Sequence, residues 1–210
     1  GVLFLDELLE YKRNILELLR EPMESRTISL SRNMGSITYP ANFMLIGALN
    51  PCPCGYYLSG IKDCTCSESE RIKYINRLSG PFLDRVDIFT FAHHHRYEEM
   101  SSKRQEETSS AIKSRIEVAR KLQLERFKGS SILRNADMNG EELKKFCHMG
   151  RDAKRNLEKY FYRFPFSMRT YNRILKISRT IADLEGSETI KVSHVMEAIN
   201  YRQFINGNVI

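Results

Sequence analysis

With 210 residues the chain is long enough for one large domain or two small ones, each with a true hydrophobic core. A formal net charge of +7, from 33 lysines and arginines against 26 acids, suits an anionic partner such as nucleic acid or nucleotide. No stretch approaches the roughly 20 apolar residues of a membrane span. No signal peptide is visible, and the five cysteines, four of them in two tight pairs, suit metal binding in a reducing cytoplasm better than a disulfide framework.

The opening run Gly1-Val2-Leu3-Phe4-Leu5 is unbroken apolar, as expected of a central parallel strand covered on both faces, and it stops at Asp6-Glu7. Leu8, Leu9, Ile15, Leu16 and Leu19 then recur at helical spacing, with Pro22 as the predicted stop. Thr27 to Ser31 and Ser36 to Tyr39 alternate polar with apolar around Asn33-Met34-Gly35, which predicts a β-hairpin. Phe43 to Leu49 reads as a second buried strand ending at Asn50, and Pro51 to Ser67 as loop. Ile72, Ile75 and Leu78 mark a short basic helix before Gly80-Pro81, and Val86 to Phe91 reads as a third strand. Past a polar stretch from Glu98 to Ser110, a long helix carries Ile112, Ile116, Ala119 and Leu122 on one face until Gly129 to Ser131 breaks it. Helices are predicted near 141–148, 151–162, 167–184 and 193–204, with Gly186 and Ser193 as stop and cap. The expected organisation is an α/β part over 1–95, a helical connector over 96–130 and an all-α domain over 131–210.

Acids at the carboxyl end of a parallel strand face the crevice where α/β sheets bind ligands. In a nucleotide-hydrolysing site Asp6 would hold the Mg²⁺ shell and Glu7 would orient and deprotonate water. Many buried strands also end in an acidic turn. Asn50 suits a water-holding amide that senses the γ-phosphate without adding charge, and equally a turn before Pro51. Arg85 suits transition-state stabilisation across a subunit rim, or a surface pair with Asp84 or Asp87. Arg169, at a helix start, suits closure over a nucleotide. Arg26, Arg32 and Asn33, near a protruding hairpin tip, suit salt-sensitive contact with backbone phosphates, or simply an edge hairpin blunted by charge.

Cys52, Cys54, Cys64 and Cys66 form two C-x-C pairs on one loop. Four thiolates can complete a tetrahedral Zn²⁺ site, although structural zinc pairs usually carry two to four intervening residues; the other reading is a loop of reduced thiols. Cys147, beside His148, suits a core cysteine. His93-His94-His95 reads as exposed loop, and Tyr160, Phe161, Tyr162, Phe164 and Phe166 as core aromatics. No Gly-x-x-x-x-Gly-Lys-Ser/Thr string occurs. The chain starts in mid-strand without Met, so it reads as a carboxyl-terminal piece with the phosphate-binding half missing. Alone it is expected neither to bind ATP tightly nor to hydrolyse it.

Taken in order, strand-Asp-Glu, strand-Asn, Leu-Asp-Arg and a later helix-start arginine resemble AAA+ ATPases. More narrowly, Gly1–Glu7, the hairpin before Asn50, Asn50-Pro51-Cys52-Pro53-Cys54-Gly55, Gly80–Asp87 and Arg173–Gly186 closely resemble the magnesium-chelatase-like ComM/YifB family, over nearly the whole chain. That resemblance implies the distal half of an AAA+ core, a parallel sheet with a presensor hairpin, followed by an all-α lid. It implies a hexameric, Mg²⁺-dependent ATPase that remodels DNA by branch migration in natural transformation. Carried over, Asp6 and Glu7 match the Walker B acids, Asn50 sensor 1, Arg85 the arginine finger and Arg169 sensor 2. A chelatase motor inserting metal into a porphyrin, and a non-catalytic DNA-binding or scaffolding module, are the alternatives; the cysteine loop and the Arg173–Gly186 string argue against the first.

Overall fold

Strand β1 (Val2–Leu5) forms its ladder with a segment almost forty residues away, and the intervening chain supplies the first core. The computed structural model describes residues 1–32, 35–92, 107–164 and 167–202. These fall into two units, one holding Gly1–Val86, the other Asp87–Thr90 with the described residues from 107 onward.

In the first unit β1 is followed by a single 3-10 turn at Leu8–Glu10 and by α1 (Arg13–Leu18) and α2 (Arg20–Ser25). The antiparallel hairpin β2 (Thr27–Arg32) and β3 (Gly35–Pro40) comes next, then β4 (Met44–Gly47), which returns parallel to β1. The expected single helix ending at Pro22 is thus three short segments. Pro22 sits in the first turn of α2, where its missing N–H has no intrahelical partner to lose. Helices α3 (Glu68–Ile75) and α4 (Gly80–Leu83) complete the unit, both capped by serines. Leu8, Leu9, Leu16, Leu78 and Phe82 are buried together, with Leu5, Leu45 and Leu49 packed on them. The short Ser79 Oγ–Glu17 hydrogen bond ties α4 to α1. That bond first, and Arg20 second, hold the Glu17 carboxyl below its usual range.

Within these 210 residues only one face of the β1–β4 pair is covered. Leu3, Leu5 and Leu45 face the helices, whereas Val2 and Phe4, opposite Met44 and Ile46, are 62% and 59% exposed. An apolar run reports that a strand is sheet-like, but not which neighbours cover it. The hairpin is two-sided as well. Ile28 opposes Tyr39 and Leu30 opposes Ile37 on one exposed apolar face, while Ser29 and Thr38 (3.0 Å) and Ser31 and Ser36 (3.4 Å) form a hydroxyl ladder on the other. The third strand expected at Val86–Phe91 is absent. The Val86 N–H closes a turn onto the Leu83 carbonyl (3.1 Å) and the Phe89 N–H donates to the Tyr201 carbonyl (2.9 Å), so neither joins a ladder.

The second unit contains α5 (Ser109–Arg126), a 3-10 turn at Asn135–Asp137, α6 (Gly140–Phe146), α7 (Arg151–Arg163), α8 (Met168–Leu184) and α9 (Val192–Asn200). Its core runs from Phe127 and Leu143 through Leu157, Ile174 and Ile177 to Val195 and Ile199. Tyr160 and Phe161 pack on it as expected of core aromatics, but Tyr162 is 92% exposed, because at helical spacing it falls on the opposite face of α7. Phe166 and the three consecutive histidines lie outside the described residues. Ile112 and Ile116 are exposed rather than buried, since only the last turns of α5, from Ala119, reach the core. Gly186 ends α8 at φ +70, and α9 starts one residue earlier than expected, with Lys191 rather than Ser193 at its cap. Cys147 is buried, and burial pushes its thiol up to about 11. Among the described residues no helix is long and apolar enough to cross a membrane.

A buried polar network fastens α8 to α5. Asp183, 1% exposed, accepts from Arg126 (2.7 Å to Oδ2), from Asn135 Nδ2 (2.7 Å) and from Arg179 Nε (3.1 Å). Arg179 also donates to the Glu188 carbonyl (2.7 Å). Removing the shared acid strands two guanidiniums in a low dielectric. Asp183→Ala is therefore expected to cost about 3–5 kcal/mol, read as a lowered urea midpoint followed by helical circular dichroism. A loss below about 1 kcal/mol would show the network to be solvated and dispensable.

Candidate active site and cysteine cluster

The register Leu5↔Gly47 sets the site, because both strands run the same way and end together. The Ala48 N–H donates to the Leu5 carbonyl (2.9 Å), and the Leu8 N–H donates back to the Ala48 carbonyl (2.8 Å). The structure thereby brings Asp6 and Glu7 alongside the segment that ends in Asn50, at one edge of the sheet; all three are exposed. Gly47 permits the crossing, since a Cβ there would meet Leu8 Cδ2 at 3.0 Å.

Glu7 is left-handed (φ 48, ψ 48), and its N–H donates to Asp6 Oδ1 at 2.9 Å. A non-glycine residue in that conformation costs about 1 kcal/mol and tends to persist where function requires it. Here the turn buries Leu8 and Leu9 while leaving both carboxylates in solvent. The inner hydrogen bond engages one oxygen of Asp6, and exposed carboxylate oxygens are the donor type that Mg²⁺ takes.

The remaining candidates lie elsewhere. Arg85 follows α4 rather than opening a strand, and its guanidinium donates to Glu24 Oε2 of α2 (2.9 Å) and to the Pro81 carbonyl (2.6 Å). Glu24 is a partner that the sequence did not offer; Asp87 pairs with Arg173. Arg169 is exposed in the first turn of α8, where Ser167 caps the Thr170 N–H (3.2 Å). A cation beside the positive end of a 17-residue helix gains nothing from the dipole, whereas an anion placed there is drawn by both.

The hairpin grouping is corrected in part. Arg26 is not at the tip: it is the left-handed C-cap of α2 (φ 59), one strand length, roughly 20 Å, from Arg32. Arg32 pairs with Gly35 at the far end of the ladder, and Asn33 lies outside the described residues.

The four loop cysteines do converge. Sγ of Cys52 is 3.4 Å from Cys54 and 3.7 Å from Cys64, Cys54 is 3.6 Å from Cys64, and with Cys66 all four lie within 4.8 Å of one another. Backbone N–H groups point into the cluster, the Tyr57 N–H donating to Cys52 Sγ at 3.3 Å. The Tyr56 N–H first, and the Thr65 N–H with it, bring the Cys54 thiol down to about 5. Arg71 was not anticipated: it donates to the Cys66 carbonyl (2.9 Å) and stacks 4.3 Å over the Tyr57 ring, placing a cation against the cysteine loop. Only its basic residue type five positions after Cys66 signalled it. The Arg179–Asp183 pair was also missed, although its i, i+4 spacing inside an apolar helix face was a readable sign.

Comparison with known proteins adds an independent line. Residues 1–100 match the family described as magnesium chelatase, subunit ChlI, and residues 106–202 match magnesium chelatase, subunit ChlI C-terminal. The uncharacterized protein YifB of Salmonella typhimurium is 42% identical over 205 residues, covering 96% of this chain and 39% of YifB. Competence protein ComM of Haemophilus influenzae is 40% identical over 206 residues, 98% of this chain and 39% of ComM. The chain thus spans about two fifths of the length of the curated relatives it matches.

The backbone at Glu7 yields a stability prediction. Glu7→Gly relieves the left-handed conformation and is expected to stabilise the fold by about 0.5–1 kcal/mol while removing the carboxylate. Denaturant unfolding measures it, and a destabilised variant would show that the Glu7 side chain, not the turn, holds this corner.

Proposed function

The chain belongs to the magnesium-chelatase-like family, and on that premise we propose that it forms the water-activating half of an AAA+ P-loop ATPase that remodels DNA. The observation that carries this reading is that Asp6 and Glu7 directly follow β1, and Asn50 follows β4, at the shared carboxyl end of the parallel β1–β4 pair, all three exposed. In this reading the described core is the distal half of the AAA+ sheet, the β2–β3 hairpin is its presensor insertion, and the helical unit is its lid. The phosphate cradle comes from sequence outside these 210 residues, which contain no P-loop string.

Asp6 is the residue to hold Mg²⁺, which when bound neutralises the charge on the phosphate oxygens. Glu7 accepts the proton of the attacking water, and Asn50 holds that water through a neutral amide. Arg169, with the N-terminus of α8, draws phosphate charge to the lid. Arg85 serves a neighbouring subunit in a hexameric ring. Glu24 and the Pro81 carbonyl hold its guanidinium until a γ-phosphate competes for it.

DNA as the partner is supported by the +7 charge, by the name of the competence relative and by Arg32 at the far end of an exposed hairpin. Chelatase-type metal insertion is the second reading, favoured by the family description itself. ATP turnover by the protein carrying its P-loop segment separates them. The expected result is stimulation by single-stranded or branched DNA, with Glu7→Gln lowering turnover about 10²-fold or more. Turnover that ignores DNA but rises with a metal and a porphyrin would transfer the function to chelation. The 210-residue chain by itself is expected to show no turnover.

A further inference from the structure

We infer that Cys52, Cys54, Cys64 and Cys66 hold one Zn²⁺ as a tetrathiolate clamp between the end of β4 and the start of α3. With Zn–S bonds of about 2.3 Å, a tetrahedral site sets its sulfurs about 3.8 Å apart. The three measured separations, 3.4, 3.6 and 3.7 Å, fall close to that edge, and the fourth sulfur shares the same sphere. They are far beyond the roughly 2.05 Å of a disulfide, and they enclose the volume of a single ion rather than a multinuclear cluster.

The short C-x-C spacing is reconciled by the backbone. Gly55 adopts φ +80 directly after Cys54, and its N–H closes a turn onto the Cys52 carbonyl (3.1 Å), which folds the first pair back on itself. Zinc requires thiolates, so binding releases the thiol protons and leaves a site of net charge −2. The N–H donors of Tyr56, Tyr57 and Thr65 and the nearby Arg71 meet that charge, as the outer shell of a metal site does.

The loop's order also calls for a fastening at the cluster itself. Between β4 and α3 it makes no strand or helix, yet Cys52 is fully buried. Long structureless connections of this kind are rare unless something pins them. Cys52 lies two residues after Asn50, and Cys66 immediately precedes Ser67, the cap of α3. One ion therefore fastens the strand end carrying Asn50 to the helix beyond it.

Metal analysis of the chain purified without chelator tests the inference. Elemental analysis is expected to give one zinc per chain. Cobalt exchanged for it should show the intense thiolate charge-transfer and visible bands of tetrahedral sulfur ligation. Cys64→Ser is expected to lose the metal, and Cys147→Ser to keep it. Should Cys64→Ser fail to fold, zinc release from the unsubstituted chain by a mercurial reagent, four thiols per ion, still decides the matter. A chain free of zinc whose loop thiols react fully with a disulfide reagent in the presence of added Zn²⁺, or one that carries iron, would overturn the assignment.

Discussion

Parallel pairing of β1 with β4 is the constraint on which the first unit depends. The two strands are short, and neither is stable without the helices that the connection between them supplies. Once Leu5 is opposite Gly47, the chain must turn at Asp6-Glu7 to send Leu8 and Leu9 under the sheet. Gly47 then leaves room for Leu8, and Glu7 takes a left-handed backbone to make the corner. Two carboxylates are consequently presented to solvent by the same geometry that buries two leucines. Strain and exposure at the acids, and burial immediately beside them, are one event.

The same strand end feeds the cysteine loop. Asn50, Pro51 and Cys52 are consecutive, so whatever fixes the thiol cluster restrains the backbone at Asn50. In the second unit rigidity has a different source, a charged network centred on Asp183 that is buried and multiply hydrogen-bonded. Such networks contribute less to net stability than to a unique arrangement of helices. The network anchors the last turns of α8, and the first turn of that helix carries Arg169, where helix dipole and side chain both favour an anion.

Much of this was legible in residue order. The apolar run ending in Asp6-Glu7, the alternating hairpin and the spacing of the helices of the second unit all follow from periodicity, which short-range sterics enforce. Convergence of the four cysteines was legible as a possibility, and the thiol separations make it geometry. What periodicity does not carry is the identity of the covering partner. Val2 and Phe4 are apolar but exposed, Ile112 and Ile116 lie on an uncovered face, and Val86 to Phe91 alternates without a ladder to join. Pairings between distant residues were equally hidden: Arg85 with Glu24 spans 61 positions, and nothing in the local sequence marks it. Arg26 was displaced from the hairpin tip because a helix C-cap was available to it in the left-handed region.

The division of labour between the two adjacent acids is the centre of the proposed chemistry, and single-turnover measurement of nucleotide binding and cleavage tests it most directly. On the protein with its phosphate-binding segment, Asp6→Asn should weaken Mg²⁺-dependent binding of ATP, whereas Glu7→Gln should bind normally and fail to cleave. If Glu7→Gln cleaves bound ATP at the unsubstituted rate, the left-handed corner of β1 is a structural turn and the water-activating group lies elsewhere.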